Sequence, residues 1–165
     1  FFIAVLFIFA FSGISFSDDY FTDIAMVEWQ GAWYFAWILE NAGDSIYVHY
    51  PFYESSLDEW VTPDRVQWLV NIGMAEWAGG WYFAGVIEQG NGSYFIRYNE
   101  YDSSWDEYVD SSRFIEICGF GYAEWQGEWF PAGVIDIDDE WLLVRYDTYS
   151  DSWDEWIPPE RFAEE

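Results

Sequence analysis

Lysine is absent from this chain, and its cationic side chains are five arginines set against 31 acidic residues, a formal net charge of −26. A nucleic-acid surface needs several spare cations on one face, so direct DNA or RNA binding is not expected. A single cysteine, Cys118, excludes an intramolecular disulfide and any cysteine-based zinc site. A single histidine, His49, leaves no Cys/His or Ser/His nucleophile that could recur along the chain. Helical periodicity over ten or more residues is missing from residue 21 onward. The acidity itself has two readings: solubility or life in high salt, and attraction of a cationic ligand, partner or divalent ion.

What is present is a repeat. Trp29, Trp77 and Trp125 stand 48 residues apart, as do Arg65, Arg113 and Arg161. His49, Arg97 and Arg145 form another such column, so every basic residue belongs to the repeated framework and none is left over. The three units read VEWQGAWYFAWILE…YESSLDEWV, AEWAGGWYFAGVIE…YDSSWDEYV and AEWQGEWFPAGVID…YSDSWDEWI. They divide the chain into residues 21–68, 69–116 and 117–165. Each is near the lower size limit for an independent domain. Phe, Trp and Tyr make up 25% of the chain, and large rings bury the most apolar area per residue, which helps so short a unit to fold.

Residues 1–17 are of another kind. The run FFIAVLFIFAFS is too short to span a bilayer comfortably and is followed by Ser15, Ser17 and the acidic Asp18-Asp19. That order reads as the back half of a signal peptide, cleaved before Asp18, and places the repeats in a secreted or cell-envelope protein without stable membrane insertion. A retained hydrophobic anchor, or a cut transmembrane segment, is the other reading.

Within the second unit, Gly73–Trp77, Trp81–Glu88, Tyr94–Tyr98, Trp105–Val109 and Phe114–Ile117 read as short strands, with Asn91-Gly92 supplying a hairpin turn. Five bent strands in fewer than fifty residues predict an all-β chain of three tandem SH3-like barrels. The pattern E-W-x-G-x-W-Y-x-A-x-V-I, followed by Y-x-[IV]-[HR]-Y-x-x-[YW]-x-x-x-W-D-E-[WY]-V and a closing arginine, resembles the chromo barrel and Tudor-knot group of the Tudor, or Royal, superfamily. Agenet repeats are a looser relative.

That resemblance implies a non-enzymatic binding module. Family members that read methylated lysine hold the ammonium in an aromatic cage by cation–π attraction. Carried across by position, the cage is Tyr82, Tyr98, Tyr101 and Trp105 in the second unit and Phe130, Tyr146, Tyr149 and Trp153 in the third. In the first unit Tyr34, Tyr50 and Tyr53 match, but Leu57 replaces the last ring and Pro51 enters the loop, so weak binding is expected there. Strand alternation agrees: Tyr82, Ala84 and Val86 share a face, as do Tyr94, Ile96 and Tyr98, so Tyr82 and Tyr98 converge. Asp102, Asp106, Glu107, Asp147, Asp151, Asp154 and Glu155 would surround the cages with negative charge.

The competing reading makes these rings ordinary packing at the barrel mouth. Trp29, Trp77 and Trp125, with the column Trp60, Tyr108 and Trp156, are assigned to the core. Asp106 and Asp154 are expected to cap their loops, and the repeated arginine to pair with an acidic neighbour. Phe35, Trp37 and Phe83 lie on the other face of the second strand, where unit three has Pro131 and Gly133, and are expected to bury inter-barrel contacts in a rod-like array. No cofactor or metal is implied. The function expected is binding of a cationic or methylated-amine group on a protein or other polymer. The alternatives are a self-associating structural protein of the cell surface and a carbohydrate-binding module. A closed 48-residue barrel has little room for an enzyme's cleft.

Overall fold

The computed structural model describes residues 24–165; the hydrophobic run at 1–17 lies outside the described residues. The chain forms fifteen strands among them. In the first unit these are β1 (Ile24–Trp29), β2 (Ala32–Asn41), β3 (Ile46–His49), β4 (Glu59–Val61) and β5 (Val66–Trp68). The second unit has β6 (Asn71–Trp77), β7 (Gly80–Gly90), β8 (Ser93–Tyr98), β9 (Glu107–Asp110) and β10 (Phe114–Glu116). The third has β11 (Gly119–Trp125), β12 (Glu128–Asp138), β13 (Trp141–Tyr146), β14 (Glu155–Ile157) and β15 (Phe162–Glu164). Each unit is one five-stranded antiparallel sheet, in the order β4-β3-β2-β1-β5 and its two equivalents.

One long strand per unit makes the barrel curve. β2, β7 and β12 pair first with the preceding strand and then with the following one, and a bulge breaks the second ladder at Ile38/Glu40, Val86/Glu88 and Val134/Asp136. The extra residue bends the strand and sharpens its twist. The hairpin before it turns through Gln30-Gly31, Ala78-Gly79 and Gln126-Gly127, both residues of each pair at positive φ. Asn91-Gly92 does the same between β7 and β8, as its sequence demands. The fourth strand starts later than the sequence predicts, because Ser103–Trp105 is a 3-10 turn whose start is fixed by Asp102 accepting from the Ser104 N–H.

Alternation then produces a core inside each barrel and a further one shared between the barrels. Even positions of β2 point into their own barrel, where Ala36 packs with Val27, Ile46, Val48 and Val61. Ala84, Val86, Ile96 and Val109 do so in the second unit, and Ala132, Val134, Val144 and Ile157 in the third. Odd positions of the long strands and even positions of the strands before them point the other way, into a cluster shared by all three units: Ile24, Met26 and Phe35 from the first, Ile72, Met74, Trp81 and Phe83 from the second, and Phe120 from the third, joined by Ile117 just before β11. Phe35 meets Phe83 at 6.2 Å and Phe120 at 5.8 Å between ring centroids, and Trp37 stacks on Phe120 at 5.5 Å.

The first unit therefore touches both others, and the rod-like array expected from sequence is replaced by three units around one apolar centre. Sequence differences in one column make this possible. Where the first unit has Trp37, the others have Gly85 and Gly133, and a Cβ added there would come within 2.6 Å of Leu69 or 2.9 Å of Ile117. The sulfurs of Met26 and Met74 lie 3.1 Å from those two positions, so each methionine packs on bare backbone of the next unit.

Two of the three junctions are also strapped by polar contacts. Trp33 donates its N–H to the Tyr101 carbonyl (3.0 Å) and accepts from the Glu100 N–H (2.6 Å), while the Phe35 N–H reaches Asn99 Oδ1 (2.7 Å). Trp81 repeats both backbone bonds with Tyr149 (2.9 Å) and Thr148 (2.6 Å), and the Phe83 N–H reaches Asp147 Oδ1 (2.9 Å). At the seam between the third and first units Phe52 takes over, with its ring 5.7 Å from Phe120 and 5.2 Å from Tyr122.

The column Trp60, Tyr108 and Trp156, assigned from sequence to the core, faces outward. These rings are 48%, 65% and 41% exposed, because β4, β9 and β14 turn the opposite face, that of Val61, Val109 and Ile157, inward. Tyr108 only leans on Phe95 across the strands, at 4.8 Å. Tyr108→Thr should therefore change stability in chemical denaturation by less than about 1 kcal/mol, the range of one cross-strand pair.

Candidate functional site

Each barrel has an aromatic mouth, built the same way three times. The last residue of β1, β6 and β11 (Trp29, Trp77, Trp125) lies two positions beyond an inward-facing Val27, Ala75 or Ala123, so its indole emerges at the rim of the same interior. The ring opposite it, Tyr34, Tyr82 or Phe130, comes from the start of the long strand. Tyr98 and Tyr146 end the third strand of their units and Tyr50 lies one residue past β3, and the loop that follows adds Tyr53, Tyr101 or Tyr149. The 3-10 turn supplies Trp105 and Trp153, with Leu57 at that place in the first unit.

All eight ring residues predicted in units two and three converge, as do Tyr34, Tyr50 and Tyr53. In unit two, Tyr82 meets Tyr98 and Tyr101 edge-on at 6.2 Å each, and Tyr101 meets Trp105 at 5.7 Å. Phe130, Tyr146, Tyr149 and Trp153 repeat this arrangement. Trp77 and Trp125 join as fifth rings, 5.1 Å from Trp105 and 5.4 Å from Trp153. This corrects their assignment to the core: Trp29 and Trp77 are 40% and 44% exposed. Counting by twos from Val27 to Trp29 is the signal that would have placed them at the rim.

The three mouths differ in the space they leave. The first encloses about 240 Å³, lined by Trp29, Tyr34, Tyr50, Tyr53, Ser56, Leu57, Asp58 and Glu59. The third encloses about 100 Å³ between its five rings. In the second the rings fill one another's space and leave about 10 Å³, roughly a single water. Leu57, whose absent ring counted against the first unit in the sequence reading, stands in the roomiest mouth. The rim loops of the other two are held by the straps, since Tyr101 and Tyr149 give their carbonyls to Trp33 and Trp81.

Beneath each mouth lies a fixed polar floor. The hydroxyls of Tyr50, Tyr98 and Tyr146 donate to Glu59, Glu107 and Glu155 at 2.8, 2.8 and 2.6 Å. Arg65, Arg113 and Arg161 fork onto the same glutamates and onto the carbonyls of Glu28, Glu76 and Glu124, which ties the closing strand to the first hairpin. Burial, and then the bond to its glutamate, pushes each of the three tyrosines well above the ordinary phenol range. The guanidinium of Arg65 or Arg113 holds Glu59 or Glu107 below the usual carboxylate range.

The second basic column is equally committed. Arg97 and Arg145 grip Asp106 and Asp154 through two nitrogens, with shortest contacts of 2.6 and 2.5 Å. These aspartates cap their 3-10 turns through their own backbone N–H groups, which donate to the Ser103 and Asp151 carbonyls at 3.3 and 3.1 Å, while their side chains serve the arginines. Much of the carboxylate ring foreseen around the cages is thus neutralised internally. The first unit differs, because there Asp58 faces His49, at 2.6 Å, in place of an arginine. All five arginines are paired with carboxylates.

Residues 21–68 match the family model of the Tudor-knot, described as the RNA binding activity-knot of a chromodomain. No curated protein matches the chain. With three five-stranded antiparallel sheets in register behind that match, the units are Tudor/chromo-barrel-like domains, present in three copies.

Proposed function

We propose that these three Tudor/chromo-barrel-like units take up a cationic or methylated-amine group, carried on a peptide or other polymer, in the aromatic mouths of their barrels. A non-enzymatic binding role fits the family match and the aromatic clusters. The observation that carries the finer reading is a surface cavity walled by four or five rings. Ring faces attract a desolvated cation by about 2 kcal/mol, and the chain's charge of −26 draws cations toward it. The first mouth is proposed as the principal site, since it has the largest cavity of the three and, in its wall, the Asp58 carboxylate, which faces His49 where the other units have an arginine. The third follows, and the second stays shut unless its rings move. Two sites on one body raise avidity for a polymer whose spacing matches.

The RNA binding named in the family description is not carried over, because every arginine is already spent on a carboxylate within its own fold. An extracellular setting, proposed from residues 1–17, makes the chemical group rather than chromatin the feature to test.

Indole NMR signals followed during titration with a trimethyllysine peptide, its unmodified lysine counterpart and choline are the direct measurement. The signals of Trp29 and Trp125 should shift saturably, and those of Trp77 and Trp105 should not. Trp29→Ala should weaken binding at the first mouth at least about tenfold, and Leu57→Trp should close it toward the state of the second. A response that survives both Trp29→Ala and Trp125→Ala excludes the cages. A response to oligosaccharides in place of the ammonium probes would favour the carbohydrate reading.

A further inference from the structure

We infer that the rim of the third unit carries a docking site for an arginine-bearing extended segment of a partner protein, centred on Trp129 and the free edge of β12. The argument comes from two completed examples within the same chain. Trp33 and Trp81 occupy the same repeat column as Trp129. Each uses its backbone N–H and C=O to pair with a loop of the next unit, and each has a guanidinium laid on its indole: Arg97 lies 4.0 Å from the Trp33 ring centroid and Arg145 4.0 Å from that of Trp81. Both contacts are made by one contiguous segment, Arg97–Tyr101 or Arg145–Tyr149.

Trp129 has the same strand environment, paired with Glu124 as Trp33 is with Glu28 and Trp81 with Glu76. Among the described residues, neither a loop nor a guanidinium is placed on it, and its ring is 48% exposed where Trp81 is 9% exposed. The first unit does not fill this place, since its own segment has His49 for the arginine and Pro51 for Asn99, and directs Phe52 into the shared core. A second copy offers the same segment, with the same defects. Residues 1–23 contain no arginine or lysine, so they cannot supply the cation either.

The chemistry of the occupant follows. It presents a guanidinium, because that is the group the two filled positions hold, and a strongly acidic chain favours a cationic partner over a neutral one. It is extended, because it must exchange two backbone hydrogen bonds with an open strand edge. It needs no Asn or Asp two residues after the arginine, because Pro131 has no N–H where Phe35 and Phe83 donate theirs. The neighbouring position is Ala32 in one filled junction and Gly80 in the other, where an added Cβ would come within 2.9 Å of the docked Thr148 carbonyl; Ala32 shows that a Cβ is accommodated, and with Glu128 here the occupant sits slightly farther out than the Thr148 loop does.

The probe is a blocked peptide reproducing residues 97–101, titrated into the full chain while the Trp129 indole signal is observed by NMR. A saturable shift is expected at Trp129 and not at Trp29 or Trp125. Binding should fall about tenfold when the peptide's arginine is replaced by citrulline, and likewise in the Trp129→Ala variant, while Trp129→Phe retains part of it. Trp129 is exposed, so these variants keep the fold, and their response to the trimethyllysine probe should be unchanged. No shift at millimolar peptide, or a shift indifferent to both the citrulline and the alanine replacement, would overturn the assignment. Loss of trimethyllysine binding in the cage variants bears only on the proposed function.

Discussion

Replacing Arg97 with methionine should lower the stability of the folded chain by about 3–5 kcal/mol, the cost of stranding a buried charge. Arg97 is 9% exposed and is held by Asp106, whose side chain is 9% exposed. Methionine fills similar volume but leaves that carboxylate with no cation. It also removes the guanidinium from Trp33, so the junction between the first two units loosens along with the second barrel. Adding Asp106→Leu to Arg97→Met should recover most of the loss, because removing both charges of a buried pair is far less costly than removing one. Urea unfolding of the two single variants and the double variant measures this. A double variant as unstable as Arg97→Met would show that the pair matters through packing rather than charge.

Asp147→Asn should do the opposite, and stabilise the chain by about 2 kcal/mol at pH 7. Asp147 accepts the Phe83 N–H at the strap between the second and third units. Burial, opposed by that bond and reinforced by the charge of Glu100, pushes its carboxyl up to about 6 from an ordinary 3.8. The folded state thus keeps this proton to a higher pH than the unfolded chain does. Stability from this group is complete below about pH 3.8 and falls as pH rises through about 6. Asparagine cannot titrate, and Asn99 shows that it fits, taking the Phe35 N–H at 2.7 Å in the preceding junction. Thermal melts of both proteins from pH 4 to pH 8 should coincide at the acid end and separate above pH 6. The comparison between variants removes the contribution of the many other carboxylates. Parallel curves over the whole range would mean that Asp147 is ordinarily ionised in the fold.

The barrels were readable because their signals are local. Asn91-Gly92 must turn, and Tyr82, Ala84 and Val86, like Tyr94, Ile96 and Tyr98, alternate with residues of another face. The cages were readable for the same reason, since Tyr82 and Tyr98 follow from strand parity and Tyr101 and Trp105 from the loop between two strands. Trp29, Trp77 and Trp125 were misplaced because size was weighed above parity. Burial of a large ring is a general tendency, whereas the face on which it emerges is fixed by counting from its neighbours. Trp60, Tyr108 and Trp156 were misplaced by the same preference.

The space inside the cages was a different matter. The three mouths enclose about 240, 10 and 100 Å³ in chain order, and the straps that hold Tyr101 and Tyr149 at the rims of the two smaller ones belong to neighbouring units. No pattern within a single repeat contains that information. Nor does one contain the partners of Asp106 and Asp154, which had an equally good local role as caps.

The amino-acid order determined, by itself, three copies of a small antiparallel barrel with a ring of aromatic side chains at each mouth, since alternation and turn chemistry act over a few residues. Tertiary structure decided that the copies close around a common apolar centre, that only two of three junctions are strapped, and that Trp129, in the repeat column of Trp33 and Trp81, is left uncovered. Those outcomes depend on contacts between residues of different units, where a Trp opposite a Phe or a Met opposite a Gly settles which surfaces meet.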